Sequence, residues 1–405
     1  IIKANETMSS NTCLRSPFVW SIAPPVITKS GVKYLVVSEH VEGKPVVDQF
    51  KDMHKAIQTK GDKLATSAGT TLLHSLVQNY LIHMFHFDQQ NPYGAFKPKD
   101  EDYSVGSIVD DVNQTYKLNE HDTAVLGLVK AKIVNLSTIL SGKGVDFVLP
   151  YRDMWLKNLF SKLKYTEDGI QFEVENIDFD EADMKRDCLV SFSHLTDCPI
   201  TGVSADEENK MLRYLVTAVA VYRAGKIGDT KDLSPKKLDA LVMEYQGNIP
   251  EKDFKDAEDL FNLVALLKDL KHVVSYFRRG YLTPLHEMEK AVIEQATITM
   301  CHDGIVYDTS SAKKLEAIRK KRDETVAIMD GYFPRIEERV QRAGLILGED
   351  TTIKLSAYIS EIQEHESMLQ TEQEKNRNLY ASNVISRRAP FASVRSTAPS
   401  QAYQH

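Results

Sequence analysis

Chain breakers are scarce. Only 19 glycines and 14 prolines occur in 405 residues, and apolar residues recur at helical spacing between them. Leu72, Leu73, Leu76, Val77, Tyr80, Leu81 and Met84 form a stripe at i, i+3, i+4 intervals, the signature of a helix with one buried face. Val125 to Leu140 repeats the pattern, as does Met154 to Leu163, and Leu260, Leu263, Val264, Leu267, Leu270, Val274 and Phe277 make another long core stripe. A many-stranded β fold needs far more turn residues, so the chain is expected to be mainly α.

Helix ends are marked as well. Ser204-Ala-Asp-Glu207 is a capping box ahead of the almost wholly apolar Met211–Tyr222, a helix expected at the centre of a lobe. Ser234-Pro235 and Thr283-Pro284 each place an N-cap before a proline at the first helical position. The N-terminal stretch differs. Phe18 to Ile22 and Val32 to Val37 are β-branched and aromatic, punctuated by Pro24-Pro25 and Ser30-Gly31, and read as short strands or an extended arm. A strand is also expected around Ile170–Ile177. Leu355, Tyr358, Ile359 and Ile362 open a helix running towards residue 378, polar on every side from Thr371. From Asn376 to His405 there is no acid but four arginines, a composition that predicts a flexible basic tail.

Together these give a two-lobed helical body: an N-terminal arm over 1–45, a helical N-lobe over 46–198, a helical C-lobe over 204–345, and a C-terminal helix with tail over 346–405. The boundary is placed at the turn-rich Cys198-Pro-Ile-Thr-Gly202.

Composition excludes several classes. With 42% hydrophobic and 26% charged residues and a net charge of −7, the chain is neither wholly disordered nor a histone-like basic binder. Four cysteines are too few for a secreted disulfide framework, so a reducing compartment is expected. Ile1 to Ser10 lacks the apolar run of a secretory leader. The apolar run Leu212–Tyr222 reaches about half of the ~20 residues a membrane span needs. No membrane association is expected.

No motif of known chemistry stands out. Ser141-Gly-Lys-Gly144 lacks the first glycine and the closing Ser/Thr of a phosphate loop and reads as a helix C-cap with a turn. Cys188, His194 and Cys198 have loose metal-like spacing without a well-placed fourth ligand. His83 and His86 sit among Met84, Phe85 and Phe87, as at a helix end packing its aromatics. Cys301 and His302-Asp303 are too close in sequence for a working nucleophile–base pair. The acidic run Glu173, Glu175, Asp178, Asp180, Glu181, Asp183 lacks EF-hand spacing and reads as a solvated loop. No catalytic residue, metal or cofactor is expected.

Two basic features remain. Tyr276-Phe-Arg278-Arg279-Gly-Tyr281 sets two arginines among aromatics: guanidinium groups bridge phosphate oxygens, and aromatic faces accept unstacked bases. Ser311 to Arg322 carries Lys313, Lys314, Arg319, Lys320, Lys321 and Arg322 against Glu316 alone. These ten residues, Tyr276, Arg278, Arg279, Tyr281 and the six basic ones, are the candidate RNA contacts.

In size and layout the chain resembles the nucleoproteins of negative-strand RNA viruses. These are two-lobed α-helical proteins that hold RNA in a basic cleft and exchange terminal arms. The resemblance implies a viral structural protein that coats the RNA genome and joins its own copies through its arms, located in the virion and the host cytoplasm. The layout is also compatible with an α-rich shell protein of a double-stranded RNA virus, or with an intracellular helical scaffold.

Overall fold

A computed structural model describes residues 19–22, 26–28, 31–33, 36–38, 40–61, 63–90, 97–98, 120–150, 156–166, 169–176, 184–196, 203–273, 280–301, 304–361 and 363–364. The protein is mainly helical. Its helices are α1 (Val46–Lys60), α2 (Lys63–Gln90), α3 (Glu120–Gly142), α4 (Cys188–Leu195), α5 (Ala205–Arg223), α6 (Pro235–Tyr245), α7 (Glu251–Lys271), α8 (Thr283–Gln295), α9 (Thr309–Asp330) and α10 (Tyr332–Leu347), with a further helical stretch over 349–361.

The chain packs as two compact units, the first made of 1–275 and 330–358, the second of 276–329 and 359–405. In the first, α7 is the hub, touching α3, α4, α5 and α10. Leu260, Leu263, Val264, Leu267 and Leu270 are all fully buried there. The second pillar is α2, which packs on α1, α4, α5 and α6. Its expected stripe is core, from Leu72 at 0% exposure to Met84 at 1%. Val274 and Phe277 lie outside the described residues. The expected boundary at 198–202 lies outside the described residues; α2 before it packs on α5 and α6 after it.

The capping box forms as read. Ser204 Oγ accepts from the Glu207 amide, and the Glu207 carboxylate accepts from the Ser204 amide at 3.1 Å. Val216 to Val221 are buried without a break, so this part of the helix is enclosed on all sides. Ser234 caps α6 ahead of Pro235. Thr283 does not cap α8. The chain is already coiled over 280–282, so Thr283 lies within the helix and Leu282 at its mouth.

The strands are few. In the arm, β1 (Val19–Ile22) pairs with β4 (Val36–Ser38), and β2 (Val26–Thr28) with β3 (Gly31–Lys33), both antiparallel. In the body, β5 (Lys44–Pro45), β8 (Leu159–Thr166) and β9 (Gly169–Asn176) form an antiparallel sheet. A second sheet holds β6 (Lys97–Pro98), β10 (Met184–Asp187) and β7 (Val148–Pro150).

From Leu156 on, the stretch 154–163 overturns a helical expectation. A 3₁₀ turn at Leu156–Asn158 leads straight into β8. The segment is short enough for two periods to compete. Pairing with β9 selects period two, burying Leu159 and Ser161 and exposing Lys162 and Lys164. The strand expected around Ile170–Ile177 forms as β9; Glu173 and Glu175 lie on it and not in the solvated loop expected of the acidic run, and Glu173 pairs with Lys164. Gly43, just before β5, has φ +112°, and a Cβ there would lie 2.6 Å from the Ser161 carbonyl oxygen. Only glycine fits that approach.

Candidate nucleic-acid interface

The basic stretch 311–322 is helical. In the second unit, α8 and α9 are joined by a hairpin of β11 (Ile298–Cys301) and β12 (Gly304–Tyr307). Asp308 fixes the start of α9. Its carboxylate accepts from the Ser311 amide at 3.0 Å and from the Thr297 amide at 2.9 Å, closing helix mouth and hairpin base together. These amide bonds favour the charged form and hold its pKa down at about 2.

Helices α8 and α9 run antiparallel. Ile293 packs with Leu315, and Glu289 meets Arg319 and Arg322. The buried side of α9 carries Leu315, Ile318, Thr325 and Met329. Glu289 is itself 5% exposed, with Arg319 Nε at 3.2 Å from its Oε1. Arg322 is shared between Glu289 and Asp323, the latter at 2.8 Å. Both candidate arginines therefore hold α9 to α8.

Lys313, Lys314, Lys320 and Lys321 remain, all exposed or partly so. Seven residues separate the members of each pair, about 10.5 Å along the axis. Lys313 and Lys320 share one rank with Glu316 and Glu324, which lie three or four residues from them and dilute their charge. Lys314 and Lys321 form a second rank about 100° away, where Glu324, three residues from Lys321, is the one acid at that spacing and Lys314 has none. Over 276–329 as a whole, nine Lys/Arg face eight Asp/Glu, so the positive charge is local. Tyr281 is half-buried at the coil before α8. Tyr276, Arg278 and Arg279 lie outside the described residues, so the structure sets the six basic residues of 313–322 on one helix, the lysines towards solvent and the arginines towards α8, and leaves the aromatic–arginine motif unplaced.

The other sequence candidates resolve into structural roles. At the end of α3, Gly144 has φ +82° and donates to the Ser141 carbonyl, while Val145 donates to that of Leu140, a C-cap with a turn. Lys143 pairs with Asp253 and Asp256 at the start of α7. His83 and His86 are buried on α2, His86 Nδ1 lying 3.0 Å from Thr230 Oγ1. Cys188 is buried at the start of α4, and Cys198, His302 and Asp303 lie outside the described residues. Among the described residues no group of three or more His, Cys, Asp or Glu is placed to hold a metal ion, and no helix is long and apolar enough to cross a membrane.

Two polar clusters escaped the sequence reading. On α6, Asp239 Oδ1 collects Gln78 Nε2 at 2.7 Å, the Tyr214 hydroxyl at 2.8 Å and His74 Nε2 at 3.3 Å, tying α2, α5 and α6 together. Burial, then the Asp239 charge, pushes the Tyr214 phenol far up. The larger cluster is buried in the first unit. Arg339 Nη2 donates to Glu208 Oε1 at 2.9 Å, and its Nε lies 3.2 Å from Asp269 Oδ2. Arg335 meets the same two carboxylates at 2.8 and 3.1 Å. Lys268 Nζ donates to the Ser193 carbonyl at 3.0 Å and lies 3.2 Å from Asp269 Oδ1. Three cations and two anions, each at most 8% exposed, thus join α4, α5, α7 and α10. A signal existed: Arg335 and Arg339 fall on the same helical stripe as Tyr332, Ile336, Val340 and Ala343.

No family model, curated protein sequence or solved structure matches the chain.

Proposed function

We propose that the chain is a self-assembling structural protein that coats RNA, a nucleoprotein of the kind found in negative-strand RNA viruses, with the solvent-facing lysines of α9 as phosphate contacts. The observation that carries this reading is the division of labour on α9: its arginines are held by Glu289, while Lys313, Lys314, Lys320 and Lys321 face solvent. Lysine is a mobile point charge and does not fork onto a base edge. The contact is therefore sequence-independent. Four such contacts on single-stranded RNA give a slope of log affinity against log salt of about −2.8 or shallower.

The test is retention of nuclease-protected RNA in purified material. Reversal of the rank with fewer acids beside it, Lys314→Glu with Lys321→Glu, is expected to cost more affinity than reversal of Lys313 with Lys320. Assemblies that carry no RNA, or retention indifferent to all four reversals, would overturn the reading. A second reading, an α-rich shell protein of a double-stranded RNA virus, is favoured by the near balance of charge over 276–329 and the overall −7, which a closed shell tolerates. Round particles that assemble normally with all four lysines reversed would select it.

A further inference from the structure

Helix α3 carries large apolar residues on both sides, with Asn135, Thr138 and Ser141 as the polar positions of its outer side. Its inner side, Leu126, Val129, Ile133, Leu136 and Leu140, is buried, and the helix packs on α7 and α10. Its outer side is exposed, yet from residue 124 to 142 its exposed positions include no charged residue; Lys130 and Lys132 are half-buried at the margins. Leu128 is 55% exposed, Val134 56% and Ile139 39%. Gly127 and Ala131 lie between them, with open space at Gly127 where a Cβ would stand. A surface helix is ordinarily charged on the face opposite its core stripe; this one is uncharged there and exposes Leu128, Val134 and Ile139.

We propose that the outer face of α3 is a contact between two copies of this chain, packed antiparallel across a two-fold axis near Ala131. Each copy carries −7, so two copies repel each other overall. An uncharged face is where two identical chains meet without setting like charges against each other. The face is also complementary to itself. With Ala131 on the axis, Leu128 of one copy stands opposite Val134 of the other, and Gly127 opposite Asn135, so large side chains meet medium ones and the smallest residues lie near the crossing. Two-fold interfaces require that kind of reciprocity. The face extends for about 27 Å of a helix about 10 Å across, which places the contact below the roughly 1,200 Å² total of standard interfaces, among the weak ones. Micromolar association is expected, a strength suited to a contact repeated through an assembly. The inference rests on the self-assembly part of the proposed function and adds a body-to-body contact to the arms.

Sedimentation velocity on the full chain from about 1 to 100 μM tests it. The wild type is expected to show a concentration-dependent dimer. Ala131→Arg is expected to weaken it by about 30-fold or more, the size of an interface hot spot, with far-UV circular dichroism unchanged. Ala131→Cys, a small substitution at an exposed position, is expected to form an inter-chain disulfide on mild oxidation, above the background of the four natural cysteines. An oligomer unaffected by Ala131→Arg, or an Ala131→Cys variant that never cross-links through the introduced thiol, overturns the α3 face while leaving assembly through the arms standing. A monomer throughout the range overturns both. Lys314→Glu with Lys321→Glu, which tests RNA contact, is expected to leave the dimer unchanged.

Discussion

Three residues expose the physics of this fold at its smallest scale. Arg339 is 3% exposed and bridges two carboxylates from different helices. Burying such charges is costly, and removing one partner strands the others without water. Glu208→Gln is therefore expected to destabilise the protein by about 3–5 kcal/mol in urea unfolding, whereas Lys313→Gln on the surface is expected to stay within about 0.5 kcal/mol. Gly43 makes a backbone argument. A Cβ at φ +112° and 2.6 Å from the Ser161 oxygen forces β5 away from β8, so Gly43→Ala is expected to cost on the order of 1–3 kcal/mol. The third residue is Asp308, whose folded-state pKa is depressed to about 2. A depressed carboxylate stabilises the fold above its unfolded pKa of about 3.9, and that stabilisation is lost as pH falls through about 2. The difference in melting temperature between wild type and Asp308→Ala is expected to be full at pH 7 and to shrink as the pH approaches 2.

At the level of elements, the α8–α9 pair depends on one buried acid serving two arginines. Glu289→Ala leaves Arg319 and Arg322 without that partner and is expected to quicken amide exchange in α8 and α9 ahead of the rest of the chain, as read by mass spectrometry. Most helices were legible in the sequence for a clear reason. Stripes such as Leu72 to Met84 are long enough to fix a period, and the Ser204 and Ser234 caps mark starts by local chemistry. What failed was short or non-local. Ten residues from Met154 fit a helix as well as a strand, and only β9, across a turn, decides between them. Thr283 looked like a cap because coiling before it depends on more than the local pair. The lysines of α9 were legible as a run, but their division from Arg319 and Arg322 was not, since Glu289 lies 30 residues from Arg319. The buried ion cluster draws its charges from three helices and a carbonyl from a fourth, and no local window contains it.

Considered whole, the molecule keeps its first unit open until late in the chain. Residues 1–275 supply most of that unit, and 330–358 return to complete it after the second unit has intervened. Glu208 and Asp269 meet Arg335 and Arg339 only through that return. Synthesis delivers the chain from its N-terminus at about 5–20 residues per second. For some seconds, then, a nascent chain carries the carboxylates of α5 and α7 with no guanidinium to answer them, and the hub helix lacks its last neighbour. Ribosome-bound chains halted before residue 335 should bind chaperones and be cut readily by protease, while those halted after the return has left the exit tunnel should resist. The order of manufacture, rather than the finished contacts, sets when this protein is most exposed to failure.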